Sequence, residues 1–392
     1  MSIPFQSIVP DSSWSLVKTI KQSPPIDLTK PYDRSTLDNK TIIITGGSSG
    51  FGAAFAKDWA SHGAQIIIGD LNDSAGEALI SELNALPGSN KNHHFCHCDV
   101  TNWQDQVSLF RLAKKVSPTG IIHGVVAGAG IVETGNLVSG PTFEIPLSED
   151  DVPPEPRLKV LGVNLTGVMY TVHLALFYLD LERSPSSQGT GSQDRHILLI
   201  SSVAGLIPLP GQVEYTVSKH GVMGLFRSLR STSWRQGIRV NVINPYFVET
   251  PLINDRGVGL LAGGGMAKLE DVVDAATRLM ADEKIVGRGL AIGPKIRVVD
   301  DPETGDFRLV QRTEDGQGKE KAVWEIYGHD YDQVEVFMWR FVKLVNAFTT
   351  VRGWIGIFKD LFRSKRRNAP VGSTAAAGSG VRSGRVEKKK NR

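Results

Sequence analysis

The sequence predicts an α/β protein built on a doubly wound parallel sheet, and three observations lead to this fold class. Strand-like apolar runs alternate with helical patterns along residues 40–245, which is typical of a parallel sheet with crossover helices. The strand-like runs are apolar throughout, as expected of strands that are buried on both faces. The first run, "TIIIT" at 41–45, leads directly into the glycine-rich "GGSSGFG" at 46–52, a turn that opens phosphate-binding helices in Rossmann-type folds.

The predicted elements alternate along this region. Strands are predicted at 41–45, 65–69, 93–100, 121–130, 196–201 and 238–245, and helices at 51–62, 74–86, 103–116, 160–181 and 214–236. Loop composition marks residues 136–157, 183–194 and 254–268. Beyond the sheet, residues 295–311 indicate two short strands around a Pro and Gly turn, and residues 321–328 indicate a third.

These patterns predict a single domain with extensions at both ends. We expect an N-terminal arm at 1–38, a nucleotide-binding Rossmann catalytic domain at 39–295, a strand-rich extension at 296–330, an amphipathic helix at 331–363 and a disordered basic tail at 364–392. The tail has few apolar side chains to offset the entropy of ordering it.

Composition and charge exclude several classes of protein. The 392 residues are 41% hydrophobic and 22% charged, as in an ordinary soluble protein. From residue 359 onward, eleven Lys or Arg stand against two acidic residues, so the basic charge belongs to the tail and nucleic acid is not an expected partner. We see no signal peptide and no run of about 18 apolar residues. Cys96 and Cys98 form no disulfide framework, and we expect a cytoplasmic protein.

The glycine-rich turn indicates a dinucleotide site. We expect contacts to the cofactor from Gly46, Ser48, Ser49, Gly50, Phe51 and Gly52. Asp70 ends the second predicted strand, about twenty residues further on, where a carboxylate accepts hydrogen bonds from ribose hydroxyls and repels a 2′-phosphate. NAD is therefore favoured over NADP. Glycine-rich turns also occur for purely steric reasons, so the motif alone leaves that alternative open.

The third predicted strand carries a second group of candidate residues. Asp99 is a candidate contact to the adenine ring, although an Asp after a strand is also typical of a helix cap. The same stretch is rich in His and Cys, but strand alternation places His94 and Cys96 on one face and His93 and His97 on the other. We therefore expect no metal site.

Candidate catalytic residues follow in the second half of the predicted domain. Tyr215 and Lys219 are four residues apart and share one helix face. A nearby cation favours the phenolate, so we expect the pKa of Tyr215 to fall from about 10 toward the range of a general base. Ser202 follows a strand whose carboxyl end faces the crevice of an α/β sheet. Asn164 lies mid-helix, where Asn is a mediocre choice, which indicates either a specific hydrogen-bonding task or a bond to backbone or water.

As a set, these residues resemble the short-chain dehydrogenase/reductase family. The match covers the glycine motif at 45–52 together with Asp70, Asp99, Asn164, Ser202, Tyr215 and Lys219, over about residues 38–295. Within the family, the chain is similar to fungal NAD-linked members that resemble 15-hydroxyprostaglandin and 5′-hydroxyaverantin dehydrogenases. The resemblance implies cofactor contacts from the glycine-motif residues and from Asp70, Asp99, Val100, Ala127, Gly128, Asn164, Tyr215, Lys219, Val248 and Thr250.

The resemblance also implies roles for the catalytic residues. Tyr215 would take the alcohol proton, and Lys219 would hold the nicotinamide ribose. Ser202 would orient the substrate oxygen, and Asn164 would anchor a water that passes the proton to solvent.

Two positions depart from the family pattern. The family's Asn-Asn-Ala-Gly is replaced by Ala-Gly-Ala-Gly at 127–130, so the side-chain amides that would brace the central strand are missing. Tyr246 follows Pro245 where the family has Gly, which puts a bulky ring near the expected nicotinamide pocket.

The predicted C-terminal helix carries an aromatic, amphipathic stripe followed by "RSKRR". We favour packing against its own domain or a second subunit, with a homodimer or homotetramer expected. Peripheral contact with an anionic membrane and binding of a soluble partner are the alternatives.

The leading hypothesis for function is an NAD-dependent oxidoreductase that oxidises a secondary alcohol of a hydrophobic small molecule, in fungal secondary metabolism. An NADPH-dependent ketoreductase and a non-catalytic nucleotide-binding module are the alternatives. A module would not need Asn164, Ser202, Tyr215 and Lys219 together.

Overall fold

Nine strands form one sheet in the part of the chain that the structure describes. The strands are β1 (Thr41–Thr45), β2 (Gln65–Asp70), β3 (His94–His97), β4 (Gly124–Ala127), β5 (His196–Ile200), β6 (Arg239–Pro245), β7 (Gly289–Asp300), β8 (Phe307–Leu309) and β9 (Lys319–Ile326). The helices are α1 (Gly50–Ser61), α2 (Asp73–Ala85), α3 (Trp103–Val116), α4 (Lys159–Tyr178), α5 (Val213–Leu229) and α6 (Leu269–Ala281). This computed structural model describes residues 20–133, 155–156, 158–180, 194–207, 209, 211–251, 265–300, 307–310 and 318–326.

The sheet has the order β3-β2-β1-β4-β5-β6-β7-β8, and β9 also pairs with β7. Strands β1 to β7 are parallel, whereas β8 and β9 run antiparallel to β7. The chain therefore reverses its strand order between β1 and β4, which is the switch point at which open α/β sheets bind ligands.

Two hydrophobic cores cover the two faces of the sheet. Side chains alternate along each strand, so Ile42 and Ile44 enter the first core and Ile43 enters the second. Helices α1, α2 and α6 cover the first face, and helices α3, α4 and α5 cover the second. The predicted α/β, doubly wound fold class is confirmed.

Several element boundaries differ from those predicted. The third strand has four residues rather than the predicted 93–100, because β3 is the sheet edge and pairs only with β2. The predicted helix 214–236 ends as α5 at Leu229, and a separate 3-10 turn follows at Ser233–Gln236. The short strands beyond the predicted domain join the same sheet through β7, whose register against β9 shifts between Ile292 and Ile296.

Residues 20–38 lie over α6 and β9. The Arg34 guanidinium links α1 and α6, at 2.8 Å from Asp58 and 3.1 Å from Asp274. The backbone N–H of Ile26 donates to Glu325 of β9 at 2.7 Å. The predictions for residues 1–19, the helix 331–363 and the tail 364–392 lie outside the described residues.

Helix α4 is long and apolar enough to span a membrane, with 20 residues and a mean hydropathy of 1.6 over its most apolar window. In this fold its Val168, Val172 and Ala175 side chains belong to the second core. The helix also contains a π-helical turn at Gly162–Gly167 that includes the fully buried Asn164.

The amino ends of β1, β5 and β6 meet in a buried ionic cluster. The Asp194 carboxylate accepts hydrogen bonds from Lys40 Nζ at 2.8 Å and from Arg239 Nε at 2.6 Å. Burial acts to raise the pKa of Asp194, but Arg239 and Lys40 outweigh it and hold this pKa well below its usual range. The cluster lies at the amino ends of the strands, whereas the glycine-rich turn lies at their carboxyl ends.

Candidate active site

The turn between β1 and α1 requires glycine at two positions. Gly46 has a φ of +68°, and a Cβ there would lie 2.6 Å from Ala129 Cα. A Cβ on Gly52 would collide with the carbonyl oxygen of Gly46. Side chains at these positions would fill the turn, so the glycines allow the backbone to approach a ligand closely.

The N-terminus of α1 faces a cleft of about 670 Å³ at the carboxyl edge of the sheet. Within the described residues, the Ser49 side chain makes no capping hydrogen bond to this helix. The first N–H groups of α1 therefore lack a side-chain cap and suit an anion. Gly46, Ser49, Gly50, Phe51 and Gly52 all line the cleft, and this arrangement fits the pyrophosphate of a dinucleotide.

Asp70 lies at the end of β2 and lines the same cleft. Its two carboxylate oxygens accept backbone N–H groups of Ser48 and Asn72, each at 3.0 Å. Ser48 is not among the residues that line the cleft, and its backbone instead fixes Asp70. Because a carboxylate has about four acceptor sites, Asp70 retains acceptors for ribose hydroxyls.

Asp99 and Val100 also line the cleft, after β3. One Asp99 oxygen accepts from the Thr101 backbone N–H at 2.9 Å and from the Thr101 hydroxyl at 2.7 Å. The cap of α3 is Asn102, which accepts from the Gln104 N–H at 2.9 Å. Asp99 therefore stabilises the turn before α3 rather than capping the helix.

The His residues near β3 have separate partners. His93 is buried, and its ring accepts the Ile66 N–H at 3.0 Å. His97 is exposed and lies 2.6 Å from Asp73. No group of three or more His, Cys, Asp or Glu among the described residues is placed to hold a metal ion.

A hydroxyl from β1 is hydrogen-bonded to the backbone at the end of β4. Thr45 Oγ1 accepts from the Gly128 N–H at 3.1 Å and donates to the Val126 carbonyl at 3.3 Å. Ala127 is buried in the second core, whereas Gly128 lines the cleft. Thr45 thus links β1 to β4 at the position where the Asn side chains are missing.

Tyr215, Lys219 and Ser202 come together at the carboxyl ends of β5 and β6. The Ser202 hydroxyl lies close enough to the Tyr215 phenol to act on its pKa, and it donates to the Pro245 carbonyl at 3.4 Å. Lys219 Nζ is 5.5 Å from the centre of the Tyr215 ring and donates to the Ile200 carbonyl at 3.1 Å.

The expected direction of the Tyr215 pKa shift is wrong. Burial raises the pKa of Tyr215, and the Ser202 hydrogen bond only partly opposes this. Burial also lowers the pKa of Lys219 to about 8. Burial disfavours the charged form of both side chains, and for the phenol this effect exceeds that of the nearby cation.

Asn164 holds the wall of the cleft. Its Oδ1 accepts from the Ile131 N–H and its Nδ2 donates to the Ile131 carbonyl, each at 2.8 Å. A Cβ on Gly130 would lie 3.4 Å from Asn164 Oδ1 and 3.8 Å from Lys219 Nζ, so both side chains face this segment. Asn164 thus forms hydrogen bonds to the backbone, which was one of the two alternatives predicted for it, and it lies near the ammonium group of Lys219.

The remaining predicted residues lie after β6. Thr250 lines the cleft. Val248 is 2% exposed and forms an isolated parallel bridge with Ala267, so it supports the chain at this point. The Tyr246 ring packs against the first core and meets the Phe247 ring edge-on at 4.9 Å.

The cleft also contains residues that the sequence did not indicate, among them Leu71, Thr101, Ala129, Ile131, Lys159 and Val163. Direct neighbours of predicted residues are Leu71, Thr101, Ala129 and Val163, so extending each predicted position by one would have found them. Lys159 has no such signal. Glu133, whose carboxylate contacts the start of α5, belongs to no motif either.

The fold and the cleft define a nucleotide-dependent oxidoreductase. The sequence profile of the family described as short chain dehydrogenase matches residues 40–258. The chain belongs to the short-chain dehydrogenase family, and it acts on CH–OH groups with a nicotinamide nucleotide.

Two curated fungal relatives and one solved structure illustrate the similarity. The 5′-hydroxyaverantin dehydrogenase of Dothistroma septosporum is 37% identical over 293 residues, which cover 72% of this chain and 91% of that protein. The 5′-hydroxyaverantin dehydrogenase stcG of Emericella nidulans is 35% identical over 309 residues, covering 75% and 93%. The crystal structure of 3-ketoacyl-(acyl-carrier-protein) reductase from Brucella melitensis complexed with NADH is 25% identical, has a TM-score of 0.53 and covers 65% and 97%.

Proposed function

We propose that this enzyme oxidises a secondary alcohol of a hydrophobic small molecule to the ketone with NAD, in fungal secondary metabolism. The observation that carries the chemistry is the placement of the Ser202 hydroxyl beside the Tyr215 phenol, with Lys219 Nζ 5.5 Å from the centre of the ring. The names and fungal sources of the two curated relatives support the substrate class, with 5′-hydroxyaverantin as the first compound to test.

The cofactor lies, in this proposal, across the carboxyl edge of the sheet. The first turn of α1 would bind the pyrophosphate, Asp70 the adenosine ribose, Asp99 and Val100 the adenine, and Thr250 the nicotinamide end. The chemistry that a bound nicotinamide nucleotide supplies is acceptance of the hydride from the carbinol carbon.

The chain's own residues would handle the proton. Tyr215 takes the proton of the alcohol as the carbonyl forms, and Ser202 orients the substrate oxygen by a hydrogen bond. The Lys219 ammonium lies on the same helix face and stabilises the phenolate that precedes proton transfer. Asn164 holds the Ile131 backbone with its amide. The second lone pair of its Oδ1 would accept a hydrogen bond from a water that passes the proton to solvent.

Asp70 supports the preference for NAD. Its carboxylate is fixed by Ser48 and Asn72, so it cannot turn away from a 2′-phosphate without losing both bonds. The adjacent Leu71 is 62% exposed and lines the cleft, and it offers no charge to a phosphate.

Replacing Asp70 by Ala together with Leu71 by Arg should reverse the cofactor preference. The double variant loses the acceptor for ribose hydroxyls and gains a guanidinium for a 2′-phosphate. The ratio of kcat/KM for NAD and NADP measures the change, and Leu71→Ala alone is the control. A wild-type preference for NADP would contradict our placement of Asp70.

A substrate screen tests the proposed function directly. Purified full-length protein is mixed with NAD or NADP and with 5′-hydroxyaverantin, other hydroxylated polyketides, steroids or hydroxy fatty acids, and absorbance of the reduced cofactor is followed. We expect oxidation with NAD. Turnover of ketones with NADPH alone would favour the ketoreductase alternative, and NAD binding without turnover of any alcohol would favour a non-catalytic module.

We also propose that the enzyme is a homodimer or homotetramer. Met169 and Phe177 of α4 and Val217 of α5 are each 51% exposed, and apolar side chains on paired helices favour a subunit contact. Sedimentation of the purified protein measures the assembly, and sedimentation with anionic liposomes tests the alternative membrane contact of residues 331–363.

A further inference from the structure

Helix α5 carries Tyr215 as its third residue, so the first turn of this helix sets the position of the phenol. The N-cap position is Gln212, whose side chain makes no capping hydrogen bond within the described residues. The N–H groups of the second and third helical residues, Glu214 and Tyr215, are the ones that a cap side chain normally accepts. Another group must satisfy them.

That group is Glu133, which lies 81 residues upstream of Glu214 along the chain. Glu133 Oε1 accepts the Glu214 N–H at 2.9 Å, and Oε2 accepts the Tyr215 N–H at 3.5 Å. The Glu133 residue is only 7% exposed. A buried carboxylate at a helix N-terminus is stabilised by these charge-assisted bonds and by the helix dipole.

Glu133 belongs to the segment that follows β4 and forms one wall of the cleft. This segment is fixed at Gly128 by the Thr45 hydroxyl and at Ile131 by the Asn164 amide. Glu133 therefore links this fixed backbone segment to the start of α5.

A second set of contacts ties the same two parts together. Asn164 Nδ2 is 3.3 Å from Ser218 Oγ, and the Ser218 hydroxyl donates to the Tyr215 carbonyl at 2.7 Å. The backbone N–H and the carbonyl of Tyr215 are thus both bound by groups connected to Asn164. The contacts form a closed ring through Asn164, Ile131, Glu133, Tyr215 and Ser218.

We propose that Glu133 is a positioning residue for the reaction. It holds the backbone of Tyr215 so that the phenol meets the Ser202 hydroxyl beside the cleft wall. This inference rests on the proposed role of Tyr215 as the acid–base group. Since a displacement of about 1 Å in a catalytic group can cost on the order of 10²-fold in rate, loss of this cap should act on kcat.

Full-length Glu133→Ala and Glu133→Gln variants test this, with 5′-hydroxyaverantin and NAD as probes. We expect Glu133→Ala to lower kcat by roughly 10- to 100-fold while KM and the Kd for NAD stay near their wild-type values. Glu133→Gln should restore most of kcat, because its amide oxygen can still accept the Glu214 N–H.

Glu214→Ala is the matched control. Glu214 is also buried in the first turn of α5, but its carboxylate accepts the Leu161 N–H at 3.0 Å. The Glu214→Ala variant should lose thermal stability, but its loss of kcat should be much smaller than that of Glu133→Ala. If both Ala variants lose kcat in proportion to their loss of thermal stability, Glu133 is only structural and the proposal is overturned.

Amide hydrogen exchange gives a readout that does not depend on turnover. Exchange at Glu214 and Tyr215 should accelerate in Glu133→Ala, whereas exchange at Glu214 should stay slow in Glu133→Gln. Unchanged exchange in Glu133→Ala would overturn the proposal. A wild-type enzyme that is inactive on every alcohol would instead contradict the proposed function, and the exchange data would still decide whether Glu133 holds the helix.

Discussion

Replacing Tyr215 by Phe will lower turnover by roughly 10²- to 10⁴-fold, which is the usual contribution of a general acid–base group. The change removes only the phenol hydroxyl, on which Ser202 acts. The glycine turn and Asp70 lie apart from it on β1, α1 and β2, so NAD binding should persist. Steady-state kinetics with the best alcohol of the screen and calorimetric titration of NAD measure the two effects separately.

Tyr178→Phe is the control for this variant. Tyr178 ends α4, where its ring packs beside Phe110 at 5.3 Å, and loss of its hydroxyl should leave turnover unchanged. A Tyr215→Phe enzyme that retains more than about a tenth of the wild-type rate would exclude Tyr215 as the acid–base group.

Replacing Asp194 by Ala will destabilise the fold by roughly 3–5 kcal/mol, the usual effect of breaking a buried ion pair from one side. The variant leaves Lys40 and Arg239 buried at the amino ends of β1 and β6 without their shared carboxylate. The free energy of unfolding is measured by urea denaturation of both proteins.

Glu82→Ala provides the matched control for Asp194. The Glu82 side chain is 50% exposed and its ion-pair partner Lys57 is 46% exposed. Loss of this ion pair should therefore change the free energy of unfolding by less than about 1 kcal/mol. Equal effects of the two variants would show that the buried cluster has no special role in stability.

The cluster also predicts the response to acid. Because the folded-state pKa of Asp194 is depressed, its contribution is fully present above its unfolded value, about 3.9. The contribution is lost as the pH falls through the lower, folded-state pKa. We therefore expect the difference in stability between wild type and Asp194→Ala to persist at neutral pH and to shrink only in strong acid.

The sequence was sufficient to place those side chains whose position depends on local spacing. Tyr215 and Lys219 share a helix face, and Asp70 and Ser202 follow strand ends, so the geometry of single elements brings them to one edge. The role of Glu133 was not predictable in this way, because its contact with α5 joins residues far apart in the chain. The same holds for the hydrogen bonds by which the Thr45 hydroxyl links β1 to the end of β4.

The error in the Tyr215 pKa has a related cause. Sequence spacing identifies the Lys219 charge beside the phenol, but desolvation depends on every neighbour that excludes water from the pocket. Likewise, the alternation of β1 to β6 was visible in the sequence, whereas the pairing of β8 and β9 with β7 depends on a register that no local pattern encodes.

The bridge between Val248 and Ala267 has a consequence for how the enzyme can change over evolution. It holds Val248 and Ala267 side by side between β6 and α6, and the Ala267 N–H donates to the Phe247 carbonyl at 2.9 Å. Once the ends of a connection are held together, doubling its length costs only about 0.6 kcal/mol of closure entropy. Changes in the number of residues between Val248 and Ala267 should therefore cost little stability, while β6 and α6 stay in place.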